Sequence, residues 1–378
     1  MINKNTKVYI SIGSKPGNFG TKIYGILFNY FRINSIYKSF KIRNIKNLIL
    51  SVKSLNINGF SVAMPFKEKI IKYLFKVEES AKNIGAVNTV ILKKKKLYGF
   101  NTDLNGIIQS IKYLKIKKSA KILVVGSGAT AKTSIYALNN VFKFKNIFFI
   151  SRNKRKNLII AKKYKVINIF NFNDNKNFDL LINCTPLGMD GMKNKLPVPI
   201  KILQTSKYII DFVNKPAETK FIKLARKYNI KYVSGNFISL NQIIKQFYIY
   251  TGQKINYQKL LKISNENEEK NNNKKKLLKY FKYFEKKDTE KLSTMFANNI
   301  ILKDWNNSVK GIFNVINFNK KIFKDLKYIK VKINNIYGSN NIFFVELVLI
   351  SKKIKIKILD KIRFNNLGKI MEITAYKM

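Results

Sequence analysis

The sequence predicts an α/β protein built from two α/β units, followed by a smaller α+β unit, and three observations carry that prediction. Between Lys7 and Phe100, apolar strand-like runs (VYISIG, SIYKSFKI, GFSVAMP, AVNTVIL) alternate with longer helical stretches, the pattern of a layered α/β fold. The alternation restarts at Lys121, where KILVVG leads into a helical stretch and is followed by NIFFIS, DLLINC and KYIIDFV; repeated strand and helix alternation builds a parallel, doubly wound sheet. Residues 264–276, SNENEEKNNNKKK, contain no apolar side chain and read as a linker.

Taken in order, residues 1–104 form the first unit, with the Lys93 to Lys96 run as a charged hairpin turn between AVNTVIL and LYGFNTD. Residues 105–236 form the second. The helical patterns SLNQIIKQFYIYTG and INYQKLLKI return the chain, over 237–263, to the first unit. After the linker, residues 277–378 open with LLKYFKYFEKKDTEKLSTMFA, which reads as two short amphipathic helices. The strand patterns YIKVKINNIYG, NIFFVELVLIS, IKIKILDKIRF and IMEITAYK follow. Helices first and strands later suggest an α+β cone or half-barrel.

Composition narrows the chemistry. The 378 residues carry a net charge of +54, 46% of them are apolar, and the chain has one cysteine and no histidine. Zinc sites of the Cys/His kind and hydrolytic triads that depend on histidine are thereby excluded, and no metal site is expected. Proton transfer must fall to Lys, Asp, Glu, Tyr or Cys. The lysines are spread along the chain instead of clustered, and Lys, Asn, Ile, Phe and Tyr are enriched together, as A/T-rich codons would produce. A dedicated nucleic-acid partner is therefore not expected, whereas small anions would be attracted. No apolar run approaches the roughly 20 residues of a membrane span, and the chain reads as cytoplasmic.

The strongest cofactor signal is Gly126-Ser127-Gly128-Ala129-Thr130-Ala131, directly after a strand and opening a helix. Gly126 permits a tight turn, Gly128 lets a pyrophosphate approach the backbone, and Ala131 keeps helix close to strand, the Rossmann dinucleotide arrangement. At the end of the next strand stands Ser151-Arg152-Asn153-Lys154-Arg155-Lys156, with no carboxylate for a ribose diol. Ser151, Arg152 and Lys156 there suit the 2′-phosphate of NADP. In the first unit, Lys67 closes SVAMPFK, and two further strand ends, Ala86-Val87-Asn88-Thr89 and Phe100-Asn101-Thr102-Asp103, are rich in hydrogen-bonding side chains.

From about Lys7 to Gly252 these motifs resemble the shikimate dehydrogenase family, especially its shikimate dehydrogenase-like branch. The resemblance rests on KPGNFG, SVAMPFKE, IGAVNTV, NTD, GSGATAK, INCTPLGM and PAET, then Asn241-Gln242, Gln246-Phe247 and Tyr250-Thr251-Gly252. It implies that Lys67 and Asp103 are the catalytic pair, exchanging a proton while hydride passes between NADP and a ring carbon. It further implies that Asn88 and Gln242 hold ring hydroxyls and that Thr185 and Gly235 lie near the nicotinamide. The family's two substrate-binding serines are replaced by the stretch Gly17-Asn18-Phe19-Gly20-Thr21, which nominates Asn18 and Thr21 as substrate contacts. Its usual His-Asn pair is Tyr24-Gly25, and a usual tyrosine is Asn214. The implied substrate is a small anionic cyclic hydroxy acid, shikimate or quinate among the candidates. The altered pocket also keeps open a non-catalytic NADP-binding regulatory or scaffold protein.

Residues 277–378 resemble the nuclear transport factor 2-like (SnoaL-like) cone, on Tyr280 to Phe284, Asp288, Leu292, Phe296-Ala297, Gly311, residues 359–364, Gly368-Lys369-Ile370 and Tyr376. Domains of that kind often dimerise or hold small apolar ligands, which leaves a homodimer open. Asp304 and Asp360 read equally as turn or edge residues. An assembly or ligand-sensing role is expected of this unit over a second active site.

Overall fold

The computed structural model describes residues 2–15, 17–168, 172, 177–326, 328–352 and 354–378. The chain divides into two compact units, Met1–Leu260 and Leu261–Met378.

The first unit holds two sheets. In chain order, the first layer comprises β1 (Lys7–Gly13), α1 (Phe19–Tyr30), β2 (Ser35–Lys41), α2 (Ile45–Ser54), β3 (Gly59–Val62), β4 (Lys76–Val77), α3 (Glu79–Ile84), β5 (Thr89–Lys93) and β6 (Lys96–Phe100). Its strands lie in the order β2-β1-β3-β5-β6-β4. The three strands β2, β1 and β3 are parallel, and β5 joins β3 antiparallel. The hairpin between β5 and β6 turns at Lys94 and Lys95, both at positive φ (46° and 60°), the backbone that a two-residue hairpin turn requires. Ile10, Ile12, Phe60, Val62 and Val90 are buried on this sheet because its parallel part is covered on both faces.

The second layer follows α4 (Asp103–Leu114). It comprises β7 (Ile122–Val125), α5 (Ala129–Tyr136), β8 (Ile147–Ile150), α6 (Lys154–Tyr164), β9 (Ile167–Asn168), β10 (Leu180–Asn183), α7 (Ile200–Gln204), β11 (Tyr208–Asp211), α8 (Lys220–Lys227), β12 (Lys231–Val233) and α9 (Gly235–Thr251). All six strands are parallel, in the order β12-β11-β10-β7-β8-β9. The strand direction of travel reverses between β7 and β10, which is the switch point where doubly wound sheets bind ligands. Short strands such as the wholly apolar ILVV, and LLIN with its terminal Asn183, are buried throughout, as a sheet with helices on both faces demands.

Helix α9 makes contacts with both β1 and α4. The Tyr9 hydroxyl donates to the Tyr250 carbonyl (2.9 Å), Asn105 Nδ2 donates to the Asn241 carbonyl (2.7 Å), and α9 packs along α4.

The second unit corrects two expectations. Residues 264–276 are no linker but the middle of a 29-residue helix, α10 (Tyr257–Glu285). The physical reason is that Glu and Lys propagate a helix well whether or not they bury anything, and the stretch does bury something. Ser264 and Asn273 are enclosed, Asn273 Nδ2 donates to the Asn340 carbonyl (3.2 Å), and Lys276 Nζ donates to the Gly368 carbonyl (2.7 Å). The expected order of helices then strands is also interrupted. After α11 (Thr289–Met295) come β13 (Phe296–Lys303), β14 (Ser308–Lys310) and α12 (Ile312–Asp325), ahead of β15 (Lys330–Ser339), β16 (Ile342–Ser351), β17 (Ile354–Phe364) and β18 (Ile370–Lys377). The six strands form one sheet, β14-β13-β18-β17-β16-β15, antiparallel except where β13 meets β18. Residues from α10, α11, α12 and the sheet share one core that includes Tyr280, Phe281, Leu292, Val315, Phe343 and Ile362.

Candidate functional site

Lys67 follows β3 and Asp103 is the first residue of α4. Their side chains form an ion pair, Lys67 Nζ donating to Asp103 Oδ2. Asp103 is 3% exposed, and its place in the first turn of α4 sets its negative charge against the positive end of the helix dipole. Its other oxygen is taken by Asn88 Nδ2 at 2.5 Å. Asn88 is itself fixed, because its Oδ1 accepts from the Thr102 backbone N–H (2.8 Å) and from the hydroxyls of Thr89 (2.8 Å) and Thr102 (3.1 Å). Gln246 Nε2 donates to Thr89 Oγ1 at 2.6 Å, and Gln246 Oε1 accepts from the Tyr24 hydroxyl at 2.8 Å. A continuous buried chain thus runs Tyr24, Gln246, Thr89, Asn88, Asp103, Lys67. Burial raises the Tyr24 hydroxyl well above its usual range and pushes Tyr37, stacked on it at 4.2 Å, up to about 12. Both therefore stay protonated and able to donate.

Of the sequence-nominated residues, Lys67, Asp103 and Asn88 meet directly. Gln242 lies on α9 beside Gly106, one turn into α4 from Asp103; a Cβ at Gly106 would meet Gln242 Cγ at 3.1 Å and the Ile238 carbonyl at 3.0 Å. Thr21 joins a cluster of hydroxyls at the carboxyl ends of the parallel strands. Its Oγ1 is 3.1 Å from Ser39 Oγ, which accepts from Ser11 Oγ (2.8 Å) and donates to the Gly17 carbonyl (2.9 Å). Beside it the Tyr37 hydroxyl and Ser61 Oγ lie 2.6 Å apart. Asn18 is exposed at the start of α1 and makes no capping bond with its side chain. Its loop borders the segment that carries Lys67, since the Ser14 N–H donates to the Met64 carbonyl at 3.3 Å. Pro16 of the KPGNFG run lies outside the described residues.

The cofactor candidates line the carboxyl edge of the second sheet. Gly126 follows β7 at φ 127°, and a Cβ there would stand 3.1 Å from the Cys184 carbonyl, so the strand crossing at the switch point requires glycine. Ser127 follows, and Gly128 precedes α5 with nothing within 4 Å of an added Cβ, leaving open space above the first turn that Ala129 begins. Ala131 is fully buried against the sheet. At the end of β8, Ser151 Oγ donates to Asn157 Oδ1 (2.5 Å) and accepts from the Asn153 N–H (3.3 Å), while Arg152 and Lys156 are exposed. After β10, Thr185 Oγ1 donates to Asn183 Oδ1 (2.7 Å). Asn183 in turn donates to Asp211 (2.9 Å), whose carboxyl is raised by burial and accepts from Thr219 (2.6 Å). Gly235 opens α9, where a Cβ would fall 2.3 Å from the Val213 carbonyl oxygen. Such closeness admits no side chain. Cys184 remains without a role, its thiol pushed up to about 12 by burial.

Two contacts bring the layers face to face within this unit. Glu68, next to Lys67, pairs with Lys132 on α5 at 3.1 Å. Asn101, two residues before Asp103, donates to Thr133 Oγ1 at 3.2 Å. Lys132 and Thr133 stand directly behind the glycine turn, so the Lys67–Asp103 pair borders the place where Gly126 and Gly128 leave the backbone open. The arrangement can exchange a proton at one face of a small molecule and present a bound dinucleotide at the other. Gln246, Ser39 and Ser61 are the site residues that sequence reasoning missed, whereas Thr89 stands in a strand end that the sequence marks as rich in hydrogen-bonding side chains. For Gln246 a signal existed in the motif around it; the hydroxyls of Ser39 and Ser61, on two separate strands, gave none. Among the described residues no group of acids and cysteine is placed to hold a metal ion.

Comparison with known proteins fits this geometry. The family model for the shikimate dehydrogenase substrate-binding domain matches residues 20–90. A shikimate dehydrogenase-like protein of Haemophilus influenzae is 34% identical over 256 residues, 67% of this chain and 94% of that one. A shikimate dehydrogenase (NADP(+)) of Clostridium botulinum is 36% identical over 214 residues, 55% of this chain and 83% of that one. A shikimate dehydrogenase solved in complex with NADP+ superposes with a TM-score of 0.62 at 29% identity, covering 70% of this chain and 96% of its own. With a relative this similar over nearly its whole length, a Rossmann sheet in the 3-2-1-4-5-6 sense and a Lys–Asp pair beside the glycine turn, the chain belongs to the shikimate dehydrogenase family.

Proposed function

We propose that the chain is an NADP-dependent oxidoreductase interconverting a ring hydroxyl and a ring ketone, with shikimate and 3-dehydroshikimate as the default pair and quinate or a related cyclic hydroxy acid as the variant. The relatives named for NADP-dependent shikimate dehydrogenation support the reaction class and the cofactor. The observation that carries the residue assignment is the ion pair of Lys67 and Asp103 next to the glycine turn.

In the reductive direction Lys67 donates a proton to the carbonyl oxygen as the carbon becomes an alcohol. In the oxidative direction it takes the hydroxyl proton back. Asp103, at the start of α4 and oriented by Asn88, holds the Lys67 side chain in position. Asn88 and Gln242 would bind ring hydroxyls, and Thr21 with Asn18 would face the acid group. The hydroxyl cluster of Ser11, Ser39 and Ser61 supports that placement, since it supplies donors where the family's two serines are replaced. NADP supplies or accepts the hydride when bound. Gly126, Ser127, Gly128 and Ala129 would hold its pyrophosphate, Ala131 keeps α5 close to the sheet, Ser151, Arg152 and Lys156 the 2′-phosphate, and Thr185 and Gly235 the nicotinamide side.

The same proposal includes the domain limits 1–104 with 237–263, 105–236 and 277–378. It also includes a nuclear transport factor 2-like cone for the last of these, a cytoplasmic setting and a homodimer. Two helices and a six-stranded sheet sharing a core with the end of α10 support the cone reading.

The test is turnover of shikimate and of quinate with NADP and with NAD, for the wild-type protein and for Lys67→Ala. Loss of a positioned acid–base group lowers turnover by about 10²–10⁴-fold, with NADP binding retained. Unchanged turnover in Lys67→Ala would remove the assigned role, and a wild-type protein that binds NADP but turns over neither acid would point to a non-catalytic NADP-binding protein.

A further inference from the structure

Behind the Lys67–Asp103 pair, the buried hydrogen bonds lead back to one hydroxyl. Tyr24, on α1, is 0% exposed, and the rings of Phe28, Tyr37, Phe247 and Tyr250 surround its own at centroid distances of 5.7, 4.2, 6.3 and 5.8 Å. A ring packed in this way cannot turn aside, so the position of its hydroxyl is set by packing. Burial keeps that hydroxyl protonated, and it donates to Gln246 Oε1.

An amide has two unlike ends. With its oxygen claimed by Tyr24, Gln246 of α9 turns its nitrogen to Thr89, at the start of β5, and Thr89 Oγ1 accepts. The Thr89 proton is thereby directed onward, to Asn88 Oδ1 at 2.8 Å or to Thr102 Oγ1 at 3.1 Å. Each bond polarises the next, so the donor that Asn88 offers Asp103 is strengthened by a hydroxyl on another element. With no exposed surface Tyr24 cannot touch a substrate, and any effect it has on turnover passes through these neighbours.

We infer that Tyr24, acting through Gln246, is a positioning residue of this site: it sets how firmly Asp103 holds Lys67, without contributing to the binding of acid or dinucleotide. Its consequence for catalysis rests on the assignment of Lys67 and Asp103 as the proton-transfer pair.

The experiment compares Tyr24→Phe, Gln246→Leu and Tyr9→Phe with the wild-type full chain in two readouts. The first is turnover of shikimate and of quinate with NADP. Tyr24→Phe lowers kcat about tenfold, less than the roughly 10²-fold that an ångström of misplacement can cost, while KM for the acid and Kd for NADP stay within about twofold. Gln246→Leu lowers kcat at least as far, and the double variant is no slower than Gln246→Leu alone, because both changes cut the same arm. The second readout needs no turnover. It is the rate at which acetic anhydride acetylates Lys67, measured by peptide mass spectrometry against exposed Lys207. A looser pair reacts about threefold faster in Tyr24→Phe and in Gln246→Leu. Tyr9→Phe is the structural control, since it removes a buried hydroxyl of the same aromatic cluster that donates to the Tyr250 carbonyl and lies off the arm. It lowers the thermal midpoint and leaves both readouts as in the wild type. Unchanged Lys67 acetylation in Tyr24→Phe, a loss of turnover carried by KM, additive losses in the double variant, or a Tyr9→Phe protein that behaves like Tyr24→Phe overturns the inference. A wild-type chain that turns over neither acid, while its Lys67 acetylation still responds to Tyr24, counts against the reaction proposed above and upholds the arm.

Discussion

A single amide, Asn88, decides the geometry of the Lys67–Asp103 pair. Its oxygen receives three donors, so its nitrogen can only point at Asp103, and the carboxylate is left with one oxygen for Lys67. This was legible in outline: the strand ends AVNT and FNTD stood out because they place polar side chains where a parallel sheet presents them. What could not be read was the chain of bonds behind them, since Thr89 meets Gln246 across 157 positions of sequence. Asp360 carries the clearest dependence on pH. Its folded pKa, raised by burial to about 7 from an ordinary 3.8, means that the folded state keeps a proton the unfolded chain has lost. Its contribution is therefore intact below about 4 and is lost as pH rises through about 7. Tyr280 is its titratable neighbour, whose own hydroxyl is raised by burial first and by this carboxyl second. Denaturant melts from pH 4 to pH 8 should show wild-type stability declining relative to Asp360→Asn across that window. Parallel curves would mean that Asp360 titrates normally.

Among the elements, α10 departs furthest from the sequence reading. Periodicity of apolar residues is the usual sign of a helix, and residues 264–276 have none. Here the helix is held from its ends and by two long polar reaches, from Asn273 to Asn340 and from Lys276 to Gly368, which no local pattern announces. The strands β13 and β14 and the helix α12 were missed for a related reason: FANNIILK mixes exposed asparagines into a strand, so its alternation is broken. By contrast, β7 and the glycine turn were readable because a short apolar strand, two glycines and a small helix start coincide within ten residues. The helix assignment makes a direct prediction. Proline at exposed Asn271 removes a main-chain bond in mid-helix and should cost about 3 kcal/mol, read from urea denaturation followed by circular dichroism. A true linker would tolerate the change.

For the molecule as a whole, a net charge of +54 on 378 residues outweighs any single ion pair. The acids that do occur are mostly engaged, as Asp179 is with Lys207 (2.9 Å) and Glu372 with Arg363 (2.7 Å), so the surplus of lysine sets the long-range field. An anionic substrate or dinucleotide is drawn in by that field, and salt screens it over about 8 Å at physiological ionic strength. The KM for the acid should accordingly rise several-fold, on the order of fivefold, between low salt and half-molar salt, with kcat little changed. An insensitive KM would show that local contacts alone govern capture. The chain's sole tryptophan adds a practical consequence. Trp305 belongs to the second unit, while the first unit must rely on tyrosine for any ultraviolet emission of its own. Selective indole excitation thus reports on one half of the protein and stays dark to the other when the chain melts or refolds.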